Sequence, residues 1–222
     1  MSEIGQRYKD ILATVGNSTL VAVSKFHPEA ELMDAYNEGC RTFGESHVQE
    51  LERKHTLLPS DIEWHFIGHL QRNKVAKIVP YVSLIHSVDS LRLLEEINKQ
   101  ALKVGRKVSV LLQLHVAAEE TKFGFTLSEI EDMFQATAPE QFTGVCFRGI
   151  MAMATNTDDE KRITDDFENA LSAFSRLKEK FFATSADFSI RSYGMSDDYL
   201  IALRHGSNMV RVGTSIFGSR GY

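Results

Sequence analysis

Lys25 follows the apolar run Leu20-Val21-Ala22-Val23-Ser24, and a lysine in that place has two uses. A run of small and β-branched residues reads as a strand buried on both faces, as in a parallel sheet. The last pleat of such a strand carries the cation to the rim of a sheet or barrel. Desolvation there can lower the amine pKa, and a less protonated amine can attack a carbonyl to form a Schiff base. The plainer alternative is a side chain that snorkels to solvent.

A second stretch with chemical potential lies far down the chain, Asn208-Met209-Val210-Arg211-Val212-Gly213-Thr214-Ser215-Ile216-Phe217-Gly218. Met209, Val210 and Val212 make a short apolar strand with Arg211 set into it. Gly213-Thr214-Ser215 then opens a turn with a glycine, hydroxyls and free backbone N–H groups, which suits a phosphate. An ordinary glycine turn, with Arg211 in a structural ion pair, is the competing reading. Upstream, Ser192-Tyr193-Gly194-Met195-Ser196-Asp197-Asp198 adds a further hydroxyl and glycine. Within it Ser196 suits a helix N-cap, and Asp197 with Asp198 suits the first turn.

Other titratable groups point less clearly to chemistry. His65 and His69 straddle a strand end and Gly68 with no carboxylate between them, which argues against zinc and leaves His65 as a pocket wall. The histidines are scattered, and none stands out in a Ser-His-Asp arrangement. Lys122 lies in a loop after the fifth strand, either solvated or able to close over a site. Asp158-Asp159-Glu160 reads as a helix start, and Asp187 and Glu95-Glu96 as surface charges.

The elements that must position these groups alternate regularly. Candidate strands are 20–24, 41–44, 63–67, 83–86, 108–114, 144–152, 188–192 and 208–212, with helical patterns at 29–38, 91–104, 127–136 and 159–182. Pro28 suits a helix start, and Thr126-Leu127-Ser128-Glu129 matches a capping box. Strands alternating with helices predict an α/β fold, a single (β/α)8 barrel over 1–222, preceded by an extra amphipathic helix around 4–15. An open doubly wound sheet is the alternative, but no Gly-x-Gly-x-x-Gly follows a strand. In a closed barrel the first and eighth strands are neighbours, so Lys25 and residues 211–215 converge on one pocket.

Composition narrows the classes further. The chain has 222 residues, 43% of them hydrophobic and 25% charged, which is enough for a sizeable core in one domain. A net charge of −5 with no basic block makes nucleic acid an unexpected partner. No apolar stretch reaches membrane-spanning length, and the polar first ten residues lack a signal-peptide core, so a cytoplasmic protein is expected. Cys40 and Cys146 read as buried free thiols.

These stretches together resemble the pyridoxal phosphate homeostasis proteins, a family related to the barrel domain of alanine racemase. The resemblance rests on Ala22-Val23-Ser24-Lys25, Phe43-Gly44-Glu45, Trp64-His65-Phe66-Ile67-Gly68 with Leu70-Gln71 and Asn73-Lys74, the Gly194–Asp198 stretch and residues 209–218, in family order along nearly the whole chain. It implies that the cofactor is pyridoxal 5′-phosphate (PLP), held by Lys25 as a Schiff base. Ser192, Gly213 and Thr214 would hold the phosphate, Arg211 would face the pyridine nitrogen, and His65 and Met195 would belong to the same site. A guanidinium cannot accept the pyridinium proton, so the cofactor would be a poor electron sink. The implied role is a cytoplasmic carrier or buffer of PLP, a monomer without turnover, with apo PLP-dependent enzymes as acceptors.

The chain also resembles a racemase barrel that lacks the β-domain and its opposing acid–base group. Two departures stand out. Ser46 replaces the family's frequent asparagine and is too short for the same contact, and His69 stands where proline is common. A racemase, or an aldolase using Lys25 on a sugar phosphate, remains the alternative class.

Overall fold

Each apolar run becomes a strand that lies beside its neighbour in sequence. In the computed structural model, which describes residues 2–119 and 123–218, the strands are β1 (Thr19–Val23), β2 (Thr42–Glu45), β3 (Glu63–Phe66), β4 (Leu84–Val88), β5 (Val108–Leu114), β6 (Val145–Ala152), β7 (Ile190–Ser192) and β8 (Met209–Val212). They close a barrel in that order, and every pair is parallel, β1 with β8 included. The predicted (β/α)8 barrel is therefore the observed fold. Lys122 lies outside the described residues.

The predicted helices appear as α1 (Glu3–Val15), α2 (Glu29–Asn37), α5 (Leu91–Lys103), α6 (Leu127–Ala136) and α7 (Glu160–Phe181). Four more are present: α3 (Val48–Leu57), α4 (Val75–Ile78) and α9 (Thr214–Phe217), which had no sequence signal, and α8 (Tyr199–Arg204), whose start was signalled by the Ser196–Asp198 stretch. The capping box is real: Thr126 and Glu129 satisfy each other's backbone N–H groups at the start of α6. Pro28 occupies the cap position just ahead of α2. α1 is latched to the last helix, with Arg7 Nε donating to the Ile216 carbonyl at 2.7 Å.

Two layers of apolar packing result. The larger lies between the barrel and its helices, where Ala22, Trp64, Phe66, Leu112, Val210 and similar outward-facing strand residues meet the helix faces. The smaller fills the barrel floor with Val21, Leu84, Leu111, Met151 and Met209. Because strand side chains alternate, two residues further along each of these strands points into the barrel again, nearer the strand C-termini. That next layer is Val23, His86, Gln113, Met153 and Arg211, and the barrel interior turns from apolar to polar one pleat below its mouth. Cys40 is buried as expected, but Cys146 is only partly so, with its Sγ 3.9 Å from the surface carboxylate of Asp187.

Candidate functional site

The β1–β8 pairing sets Val21 beside Arg211 and Ala22 beside Val212. The chain segments that leave these strands, through Lys25 and through Gly213-Thr214, therefore emerge side by side. Between them lies a cavity of about 200 Å³ whose walls include Lys25, Met195, Ser196, Arg211, Gly213 and Thr214. The predicted convergence of residues almost 200 positions apart is thus present in the fold. Ile67 and His27 complete its side walls.

The two ends differ in character. At one, Gly213 precedes the short helix α9, whose first amides have no carbonyl within the helix to bond. The Gly213 N–H donates to Ser196 Oγ at 3.2 Å. A Cβ at Gly213 would lie 3.0 Å from the Val23 carbonyl oxygen, so glycine lets this turn pack against the end of β1. Asp197, exposed, adds a carboxylate at the rim. At the other end Lys25 is half-buried and also lines a second opening, shared with Ser46, His69 and Lys74.

Arg211 forms the floor. Its Nη1 donates to the Ser192 carbonyl at 2.7 Å and to Ser192 Oγ at 2.8 Å, and its Nη2 donates to the Ala152 carbonyl at 3.2 Å. Among the described residues it makes no ion pair, so the structural ion pair considered from sequence is not what holds it. Burial lowers its pKa to about 10 against a smaller opposing pull from Asp198, which leaves it a cation at neutral pH.

Behind Arg211 runs a buried polar column. Ser192 Oγ lies 3.0 Å from His86 Nδ1, and His86 Nε2 lies 3.0 Å from His65 Nδ1. Burial pushes the His65 pKa down to about 4. Burial, then the nearby His65 and Arg211, holds His86 well below its ordinary value. Both imidazoles are therefore neutral at pH 7. Since a guanidinium only donates, one direction of donation uses every group: Arg211 to Ser192, Ser192 to His86, His86 to His65.

Several expected roles need revision on this geometry. Ser192 was expected at a phosphate, but its side chain is fully buried and shared between Arg211 and His86, and it does not line the cavity. Ser196, expected as a helix cap, lines the cavity instead, while Asp198 occupies the cap position of α8 without a side-chain cap bond. His65 stands one layer behind the cavity wall, bonded to His86 and absent from the lining. His65 and His69 do not converge, because His69 pairs with Asp89 at 2.8 Å. Lys25, Arg211, Gly213, Thr214 and Met195 are brought together as expected.

Sequence reading overlooked His86 and Lys54. The period-two step from Leu84 marks His86 as an inward position. Glu50 and Lys54, four apart, were the visible trace of the buried cluster described below.

Fold and site together define a parallel barrel of the alanine racemase N-terminal type. Residues 1–221 match the family described as alanine racemase, N-terminal domain. Among curated proteins, the chain is 36% identical over 206 residues to the pyridoxal phosphate homeostasis protein of Schizosaccharomyces pombe, covering 92% of this chain and 85% of that one. It is 34% identical over 208 residues to its counterpart in Escherichia coli K12, covering 92% and 86%. The chain belongs to the pyridoxal phosphate homeostasis protein family. Among solved structures it is similar to PipY of Synechococcus elongatus with PLP bound, with TM-score 0.88, 32% identity and coverage of 97% of this chain and all of that one. Alanine racemase from Bartonella henselae shares the fold, with TM-score 0.74 at 15% identity, this chain covering 58% of that one. Among the described residues no helix is long and apolar enough to cross a membrane.

Proposed function

We propose that this chain, acting as one PLP-binding domain, holds pyridoxal 5′-phosphate reversibly and without turnover, as a carrier or buffer. The observation that supports it most is the cavity in which Lys25, the donor-only Arg211 and the Ser196-Gly213-Thr214 turn meet. PipY, 32% identical along its full length, has a structure with PLP bound. Bound PLP supplies an aldehyde carbon open to a lysine amine and a pyridine ring whose electron withdrawal depends on protonation of its nitrogen.

The residues present fit that group. Lys25 offers the amine at the open side of the cavity. Ser196, Thr214 and the first amides of α9 offer hydroxyl and N–H donors to a phosphate, and Gly213 keeps that turn free of a side chain. Arg211 donates and never accepts, so it pairs with an unprotonated acceptor nitrogen, and its anchoring by Ser192 and Ala152 holds it in that role. Met195, 39% exposed at the rim, leaves the mouth open for exchange with solvent or with an apo enzyme. The reading takes the protein as a cytoplasmic monomer, and its two free thiols agree with a reducing compartment.

Racemisation needs acid–base groups on both faces of the ligand, and loss of one costs about 10²–10⁴-fold. Alanine incubated with the PLP-loaded protein in deuterated water should therefore keep its chirality and gain negligible Cα deuterium. Turnover on the order of 10 per second, the median for enzymes, would make the protein a racemase instead.

A further inference from the structure

Directly beneath Lys25 lies a charged cluster that the binding site does not use. Lys54, on α3, is completely buried. Its Nζ donates to the Ser24 carbonyl at 2.7 Å, to Glu45 Oε1 at 2.7 Å and to Glu50 Oε1 at 2.8 Å, which uses all its protons. Ser24 Oγ donates to the same Glu45 oxygen at 2.6 Å, and the Phe26 amide donates to Glu50 Oε1 at 2.7 Å.

The cluster therefore grips the chain on both sides of Lys25. That segment is a tight turn, closed by the His27 amide donating to the Ser24 carbonyl at 3.1 Å, with Lys25 and Phe26 as its central residues. Phe26 has φ 70°, a left-handed conformation that a phenylalanine adopts only when its surroundings impose it. Stability alone does not explain the arrangement, because a buried ion pair is often no better than an apolar pair of the same size. Glu45 Oε2 is buried without a hydrogen-bond partner, and burial outweighs Lys54 to push the Glu45 pKa up to about 7. A charge this costly, set on the turn that presents the site's amine, indicates a positioning role.

We propose that Lys54, together with Glu45 and Glu50, is the positioning group for Lys25, fixing the Ser24–His27 turn so that the Lys25 amine meets the ligand aldehyde. The proposal rests on the reading that Lys25 bonds PLP, and one experiment separates the two. Wild type and Lys54→Met are compared for affinity toward PLP and toward pyridoxine 5′-phosphate, which has the same ring and phosphate but an alcohol in place of the aldehyde. Misplacing a reacting group costs up to about 100-fold, so Lys54→Met should weaken PLP binding by about 10–100-fold. Binding of the alcohol should stay within about twofold, since nothing is removed from the cavity wall.

Should Lys54→Met fail to fold, Lys54→Met/Glu45→Gln, which removes both fully buried charges, is measured in its place with the same expectation. Equal losses for both ligands would mean a purely structural cluster, and no loss for PLP would mean that the turn holds itself; either overturns the proposal. Wild-type protein that binds the two ligands equally overturns the underlying reading of Lys25, and the positioning role with it.

Discussion

The Ser196 hydroxyl accepts from the Gly213 amide and shares a cavity with Thr214, whereas the Ser192 hydroxyl is sealed between Arg211 and His86. The two serines should therefore respond differently to truncation. Ser196→Ala and Thr214→Ala should each weaken PLP binding by about 1.5–3 kcal/mol, the usual worth of a hydrogen bond to a charged group. Neither should affect pyridoxal, which lacks the phosphate. Ser192→Ala should weaken both ligands alike, because it acts through the orientation of Arg211. Calorimetry with the two ligands checks this, and a loss at Ser192 confined to PLP would return that serine to the phosphate. Lys25 and Arg211 were legible because each stands out against an apolar strand and lies near its end. Ser192 and Ser196 were not, since one ends a barrel strand and the other lies in the six-residue, glycine-containing segment that joins it to a helix, and sequence does not say which hydroxyl turns inward.

At the scale of elements, the least legible part is α3. Its cap residue, His47, makes no side-chain capping bond, and its composition is polar. Lys54 disguises the buried face, because a lysine at a core position reads as solvent-facing until its carboxylate partners are placed. The contact of α3 with β2 leads to a pH prediction. Glu45 is raised from 4.5 to about 7 by burial, against the pull of Lys54. The folded state thus binds its proton more tightly than the unfolded state, and the associated stability is lost as pH rises from about 4.5 to 7. His65, lowered from 6.5 to about 4, acts in the opposite sense: its contribution is present above 6.5 and lost as pH falls toward 4. The two slopes oppose each other through the overlapping range. Glu45→Gln removes only the first, so the stability of this variant should climb more steeply with pH between 4.5 and 7 than that of wild type. Urea midpoints across that range read the difference, and parallel profiles would show that Glu45 does not carry a raised pKa.

For the whole molecule, the alternation of apolar runs and helical patterns was enough to give a closed barrel, because parallel strands need crossovers and eight of them can close without an edge. Strand ends were placed to within two residues throughout, including β7, where the run at 188–192 contributes Ile190–Ser192 to the barrel. Phe188 instead packs into the outer core against Phe174 and Phe182. Closure brings β1 against β8 and so creates the site. The polar column from His65 to Arg211 is a property of the closed barrel alone, since its members come from β3, β4, β7 and β8. No local pattern could have joined them.

The central claim is that this barrel exists to present the amine of Lys25 to PLP. Its most direct test is to load the purified protein with PLP, reduce it with borohydride, and map the modified peptide by mass spectrometry. The account predicts one principal label, on the peptide containing Lys25. It also predicts that a Lys25→Ala variant loses that label while retaining its far-ultraviolet circular dichroism, because a half-buried rim residue contributes little to the core. A label fixed principally on another lysine, or none in a protein that binds PLP, would contradict it.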